Sequence, residues 1–181
     1  MLEDTLLLWR FKQGSIVALE KICSKYNSYL LTVAAGLTGN YHDAEDCLQE
    51  FFVCFMQSPE RIKLKGNLKS YMAVCVSNIA LNRLKRKRIE PVAVEKLPEV
   101  FDLETPDWLA VESEQTHELT KALSLLPYQQ REVIVLRLHS QMKFKQIAKL
   151  RNVSVNTIAG RYRYGLEKLR TILERQAKNE K

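Results

Sequence analysis

Residues Phe144–Leu173, FKQIAKLRNVSVNTIAGRYRYGLEKLRTIL, constrain this chain more than any other stretch, because their spacing admits one local architecture. Phe144, Ile147 and Ala148 fall at i, i+3 and i+4 and line one face of a short helix. Arg151-Asn152-Val153 makes the turn, with Asn152 one of the few non-glycine types that tolerates a positive φ. Ser154 is placed to cap the next helix by accepting an early backbone N–H. That helix carries an apolar seam at Ile158, Tyr162, Leu166, Leu169 and Leu173. Thr157, Arg161, Tyr164 and Lys168 form a polar row off the seam, flanked by Asn156, Arg163 and Arg170. The alternative is a helical hairpin with a solvated charged face. Charge decides between them: Glu167 is the lone acid among the lysines and arginines of this stretch, and a face so basic is suited to a polyanion. The segment reads as a DNA-binding helix-turn-helix.

Charge is also unevenly placed along the 181 residues, whose net value is +7. Met1–Ile89 carries 13 basic and 8 acidic residues (+5), Glu90–Glu118 carries 1 and 9 (−8), and Leu119–Lys181 carries 14 and 4 (+10). Two basic blocks joined by an acidic connector point to two surfaces meeting a polyanion and one segment kept off it. No apolar run reaches the ~18 to 20 residues of a membrane span. The acidic start Met1-Leu2-Glu3-Asp4 does not read as a secretory signal, so the expected location is cytoplasmic. Cys23, Cys47, Cys54 and Cys75 lack CxxC spacing and read as reduced core thiols; no metal or other cofactor is expected.

The rest of the chain reads as helices. Leu2–Lys12 is followed by a break at Gln13-Gly14-Ser15. Ile16–Leu37 follows, with Val17, Leu19, Ile22, Tyr26, Tyr29, Leu30 and Val33 turned mostly inward and Gly39 closing it. Asn40-Tyr41-His42 is a connector to a helix that begins at Asp43, favoured there by the dipole, and runs to about Gln57. Its outer face shows Glu45, Asp46, Gln49 and Glu50. Enzymatic use of these acids needs a histidine or a second carboxylate helix, and neither is present. They fit a cap or a protein-docking face. After Ser58-Pro59 comes a basic loop, Arg61 to Gly66, and a helix from Asn67 to about Lys87 with the stripe Leu68, Met72, Cys75, Ile79. Its polar residues Lys69, Ser70, Asn78, Asn82 and Arg83, with Tyr71 as an exposed aromatic, suit a strand whose bases are unstacked. Pro91–Glu114 is a linker. Helix resumes over Glu118–Leu126 and Tyr128–Leu138, where Leu119, Leu123, Val133, Ile134 and Leu138 would cover the helix-turn-helix, and the tail from Arg175 frays.

Two separated blocks then carry a family resemblance. DAEDCLQEFF (Asp43–Phe52) with GNLKSYMAVCVSNIALNRLKRKR (Gly66–Arg88), and LSLLPYQQREVIVLRLHSQMKFKQIAKLRNVSVNTIAGRYRYGLEKLR (Leu123–Arg170), resemble the two domain patterns of bacterial sigma factors of the extracytoplasmic-function group. The resemblance implies an all-α chain of two small helical domains joined by a flexible acidic linker: 1–89 for binding core RNA polymerase and opening the −10 element, 90–117 the linker, and 118–181 a helix-turn-helix for the −35 element. It implies no catalysis, and as partners core polymerase, promoter DNA in duplex and single-stranded form, and an anti-sigma factor. Carried onto this sequence, Asp46, Gln49 and Glu50 would bind polymerase. Arg61, Lys63, Lys65, Lys69, Tyr71, Asn78, Asn82 and Arg83 would hold the −10 strand. Ser154, Asn156, Thr157 and Arg161 would meet the −35 element at or near its bases, and Arg151, Arg163, Tyr164 and Lys168 its phosphates. Two departures stand out: Asn152 where the family often has glycine, and Gly160 inside the second helix. A free-standing DNA-binding regulator is the competing expectation; it would bind duplex DNA alone and needs no acidic docking helix.

Overall fold

The computed structural model describes residues 2–62, 64, 67–89 and 114–179. Among these, the regular structure is eight α-helices and a short 3-10 turn at Pro59–Arg61. The first group comprises α1 (Leu2–Lys12), α2 (Ile16–Thr38), α3 (Tyr41–Gln57) and α4 (Leu68–Ile89). The second comprises α5 (Glu114–Ser124), α6 (Tyr128–Leu138), α7 (Phe144–Arg151) and α8 (Val155–Asn179). The expected connector lies outside the described residues apart from 114–117, which are the first turn of α5 rather than linker.

Helix α2 is the common support, packing on α1, α3 and α4 of its own group and on α5 and α6 of the other. Ser15 caps its start, the Oγ accepting from the Ala18 N–H at 3.3 Å. Gly39 ends it at φ 89°, a left-handed conformation that glycine adopts without strain. From Leu30 onward almost every residue is buried, and Leu30, Val33, Ala34 and Leu37 are wholly enclosed. Val17 departs from the expected inward set: with Ile16 it faces solvent, while Ala18 carries the buried side of that first turn.

Helix α3 starts two residues earlier than the carboxylate pattern indicates. Asn40 is the cap, its Oδ1 accepting from the Asp43 N–H and its Nδ2 donating to the Asp43 carboxylate, both at 2.8 Å. Tyr41 and His42 are thereby drawn into the first turn. Phe51 is almost fully enclosed and packs its ring on Phe52 and Phe55, and Phe55 stacks on Phe11 of α1 at 5.3 Å. In α4 the buried stripe is Leu68, Met72, Ala73, Val76 and Ala80, while Cys75 and Ile79 are half-buried. The stripe is rotated from expectation because α4 packs on α2 and α3 and also on α6. Asn67 caps it, accepting from the Ser70 N–H at 2.7 Å.

In the second group α5 stops at Ser124, and the Leu125 and Leu126 N–H groups reach back to the carbonyls of Ala122 and Leu123. Pro127 then leads into α6. Leu123, Val133 and Ile134 are buried as expected, whereas Leu119 and Leu138 are exposed. The turn after α7 places Asn152 at φ 51°, ψ 47°. A second left-handed residue, Gln141 at φ 52°, shapes the turn before α7. The seam of α8 is turned inward, with Ile158 and Leu169 buried and Tyr162, Leu166 and Leu173 half-buried. Its tail is helical to Asn179 instead of frayed from Arg175.

The geometry at Asn152 generates a prediction. Asn152→Gly should leave stability nearly unchanged, whereas Asn152→Val, a β-branched residue forced to positive φ, should cost about 1–3 kcal/mol. Urea unfolding of the two variants measures the difference.

Candidate nucleic-acid and protein interfaces

Three surfaces gather the candidate residues. The first is the outer face of α8. Ser154 caps the helix, its Oγ accepting from the Thr157 N–H at 3.0 Å and lying 2.8 Å from the Thr157 hydroxyl. Asn156 and Thr157 are exposed on the next turn, Arg161 is half-buried, and Lys168 is exposed. The Arg163 guanidinium sits 5.0 Å from the centroid of the Tyr164 ring, which is itself exposed. The helix-turn-helix is thus assembled with its polar row outward. Phe144 of α7 packs on Tyr162 at 5.2 Å beneath it.

The second is the acidic face of α3. Gln49 is exposed and Asp46 and Glu50 are half-buried. Arg83 of α4 crosses to both acids, 2.5 Å from Asp46 and 3.4 Å from Glu50. Arg83 is therefore bound into the α3 face instead of standing with the other polar groups of α4. The link came from a residue 33 to 37 positions away, which helical periodicity along α4 does not reveal.

The third is α4 with the loop before it. Asn82 is exposed, and Lys69 lies with its ammonium 4.3 Å from the centre of the Tyr29 ring. Tyr71 is not the exposed aromatic expected. It is half-buried against the core, hydrogen-bonded to Cys75, and burial pushes its phenol up to about 12. The 3-10 turn carries Arg61, while Lys63 and Lys65 lie outside the described residues. Lys12 of α1 tethers the turn, donating to the Ile62 carbonyl at 2.7 Å.

Arg151, expected on the DNA face, is elsewhere. Its Nε donates to Glu132 Oε2 at 2.9 Å and its Nη2 also contacts the other oxygen of that carboxylate. The same guanidinium reaches α4, donating to Asn78 Oδ1 at 2.9 Å and Ser77 Oγ at 2.7 Å. The Ser77 hydroxyl donates to Glu132, and the Tyr128 hydroxyl donates to the Ser77 carbonyl at 2.9 Å. Glu132 is 4% exposed in its side chain, so the carboxylate survives burial by having Arg151 and Ser77 as partners. Burial, and next the charge of Glu132, raise the Tyr128 phenol above its usual range. Arg131 beside it is also buried, donating to the Leu37, Ser124 and Leu126 carbonyls at 2.7, 2.7 and 3.1 Å.

The cysteines are free thiols. Burial pushes Cys47 up to about 11 and raises Cys23 and Cys75, which favours the thiol over the nucleophilic thiolate. Cys54 is exposed, not a core residue as expected. Among the described residues no group of histidine, cysteine or carboxylate side chains could hold a metal ion, and no helix is long and apolar enough to cross a membrane.

Comparison with known families settles the lineage. Residues 22–89 match the model of Sigma-70 region 2, and residues 116–169 that of Sigma-70 region 4. The chain belongs to the extracytoplasmic-function sigma factors. Members of this group are promoter-recognising, non-enzymatic transcription initiation factors. The chain is 24% identical to the extracytoplasmic-function sigma factor SigW of Bacillus subtilis, over 88% of its own length and 90% of the relative's. It is also 24% identical to SigE of Mycolicibacterium smegmatis, over 91% of its length but 65% of that longer protein. Two solved structures share the fold at a TM-score of 0.65. One is the sigma factor RpoE with the anti-sigma factor NepR from Bartonella quintana, at 21% identity over 86% of this chain and 98% of that one. The other is CnrH with the cytosolic domain of CnrY, at 19% identity over 95% and 97%.

The cap of α8 in this sigma factor gives a prediction about stability alone. Ser154→Ala should cost about 1 kcal/mol in urea unfolding and Ser154→Gly only a few tenths.

Proposed function

We propose that this sigma factor binds core RNA polymerase through the α3 face, opens and holds the −10 strand with α4 and its preceding loop, and reads the −35 element with α8. In this assignment residues 1–89 form the polymerase- and −10-binding domain and 118–181 the −35 domain. The observation that carries it is the outward polar row of α8: a capped helix presenting Asn156, Thr157 and Arg161, with no acid of its own in that row. Amide and guanidinium groups at the start of such a helix reach base edges in the major groove, and Arg163, Tyr164 and Lys168 further along suit phosphates. Ser154 holds the first turn open to the groove as its cap.

For the −10 strand, Lys69, Asn78 and Asn82 supply cationic and amide groups along one helix, Arg61, Lys63 and Lys65 supply positive charge just before it, and Tyr71 supplies a ring edge. Arg83 serves that helix as the brace to Asp46 and Glu50, which with Gln49 form the docking face for polymerase. Arg151 acts by holding Glu132 and α4. The site of action is the cytoplasm, where polymerase works. An anti-sigma factor is the expected regulator, supported by the two similar structures, each a complex with such a partner or its cytosolic domain.

Two tests follow. Arg161→Ala should lose about 1–3 kcal/mol of discrimination at one base pair of the −35 element, read by competition binding of the holoenzyme to a promoter library; unchanged base preference removes Arg161 from the reading set. Glu50→Lys should abolish assembly with core polymerase. Helix content and urea unfolding of Glu50→Lys beside the wild type separate lost docking from lost fold. Assembly by Glu50→Lys itself would remove α3 from the docking role.

A further inference from the structure

The groove between α3 and α4 is edged by two rows of residues spaced by four. Asp46, Glu50 and Cys54 follow one another on α3, and Tyr71, Cys75, Ile79 and Arg83 on α4. Rows at this spacing are the ridges by which helices commonly pack, and α3 packs on α4. Register is set at one end, where Arg83 reaches Asp46 at 2.5 Å and Glu50 at 3.4 Å. The last turns of α4 thus lie beside the first turns of α3, and the rows run in opposite directions. Two steps along from Asp46 is Cys54, and two steps back from Arg83 is Cys75. The two thiols come level at the other end of the groove.

Their surroundings differ. Cys54 is exposed, whereas Cys75 is half-buried with its thiol hydrogen-bonded to the Tyr71 hydroxyl. Burial raises the Cys75 thiol, the Tyr71 hydrogen bond lowers it, and a charge on Cys54 raises it again, the mark of close neighbours. The remaining cysteines are set apart: Cys47 is wholly enclosed, and Cys23 belongs to α2. Metal ligation does not account for the pair, since no group suited to a metal ion occurs among the described residues.

We propose that Cys54 and Cys75 are an oxidant-sensitive thiol pair, closed by hydrogen peroxide into a disulfide between α3 and α4. Cys54, the accessible thiol, gives its proton to solvent and its sulfur attacks one peroxide oxygen. The O–O bond breaks, the departing hydroxide takes up a proton as water, and Cys54 becomes a sulfenic acid. The Cys75 sulfur then attacks the Cys54 sulfur. The S–O bond breaks, and the hydroxide leaves as a second water with the proton Cys75 gives up. Two thiols lose two electrons in all, and one peroxide is reduced to two waters.

Burial suits Cys75 to the second role, because a thiol held protonated is slow to react first. A disulfide spans ~4.4–6.8 Å between Cα atoms, a separation that helices packed ~8–10 Å apart offer at facing positions. In a reducing compartment such a bond forms under oxidant and is undone by thiol exchange. Closed, it clamps the groove at the end opposite Arg83.

Thiol counting and peptide mapping of the full chain, after brief exposure to a small molar excess of hydrogen peroxide, test this. Two of the four thiols should disappear, one peptide pair should join residues 54 and 75, and dithiothreitol should restore all four. Cys54→Ser should abolish the loss. Cys75→Ser should leave Cys54 as a sulfenic acid that dimedone captures. The oxidised wild type should unfold at higher urea than the reduced protein, and reduction should reverse the shift. Four intact thiols overturn the proposal, as does a disulfide that involves Cys23 or Cys47 or joins two chains. Undiminished thiol loss in Cys54→Ser overturns the role of Cys54. An oxidised protein no harder to unfold overturns the clamp. Should Cys75→Ser lose helix content, Cys54→Ser, at an exposed position, decides.

Discussion

Everything in this molecule depends on the second half of α2 being covered from all sides. A helix buried round its whole circumference has to be apolar round its whole circumference, and the run from Leu30 to Leu37 meets that condition with Thr32 the one polar interruption. Thr32 and Thr38 return their hydroxyls to the helix's own carbonyls at Ser28 and Ala34, so neither asks for an outside partner. The end of the helix, where carbonyls are left without intrahelical donors, is met by a cation: Arg131 donates to the Leu37 carbonyl. The helix-turn-helix is thus anchored, through α6, to the same rod that supports α3, the helix proposed to meet polymerase. What separates the two proposed duties is the surface each helix shows outward, since their interiors meet in one core.

Much of this was legible in the sequence because it is local. The helix-turn-helix follows from apolar spacing, from Asn152 in a position needing a left-handed backbone and from Ser154 one turn before Thr157. Those signals span a few residues and are governed by backbone sterics and hydrogen-bond supply. The boundaries missed were also local in cause. The carboxylates after Asn40 are a stronger dipole signal than its cap, yet its amide reaches Asp43 and pulls two more residues into the helix.

The polar network was not legible. Ser77 and Arg151 are 74 residues apart, and Glu132 follows another buried charge, Arg131, on a helix whose pattern assigns both to solvent. Periodicity sorts residues by polarity, so it turns every charged side chain outward unless a partner is known. Here Arg131 and Glu132 are tolerable because partners arrive from other helices. Leu119, Leu138 and Val17 err in the opposite direction, apolar residues that the packing leaves uncovered. The rotated stripe of α4 has a related cause: a helix touching three others has no single inward face to read.

Gly160 has a consequence of another kind. It lies one turn after Asn156 and one before Tyr164 on the face assigned to the groove, and a Cβ built there meets nothing within 4 Å. Helix interiors ordinarily disfavour glycine by about 1 kcal/mol relative to alanine. This position is an empty seat on the outer face of α8, and filling it tightens the helix instead of straining it. In evolutionary terms, if α8 reads bases as proposed, residue 160 is where its outer face can change by a single substitution that carries a folding gain, a route closed at Thr157, whose backbone N–H and hydroxyl both meet the cap.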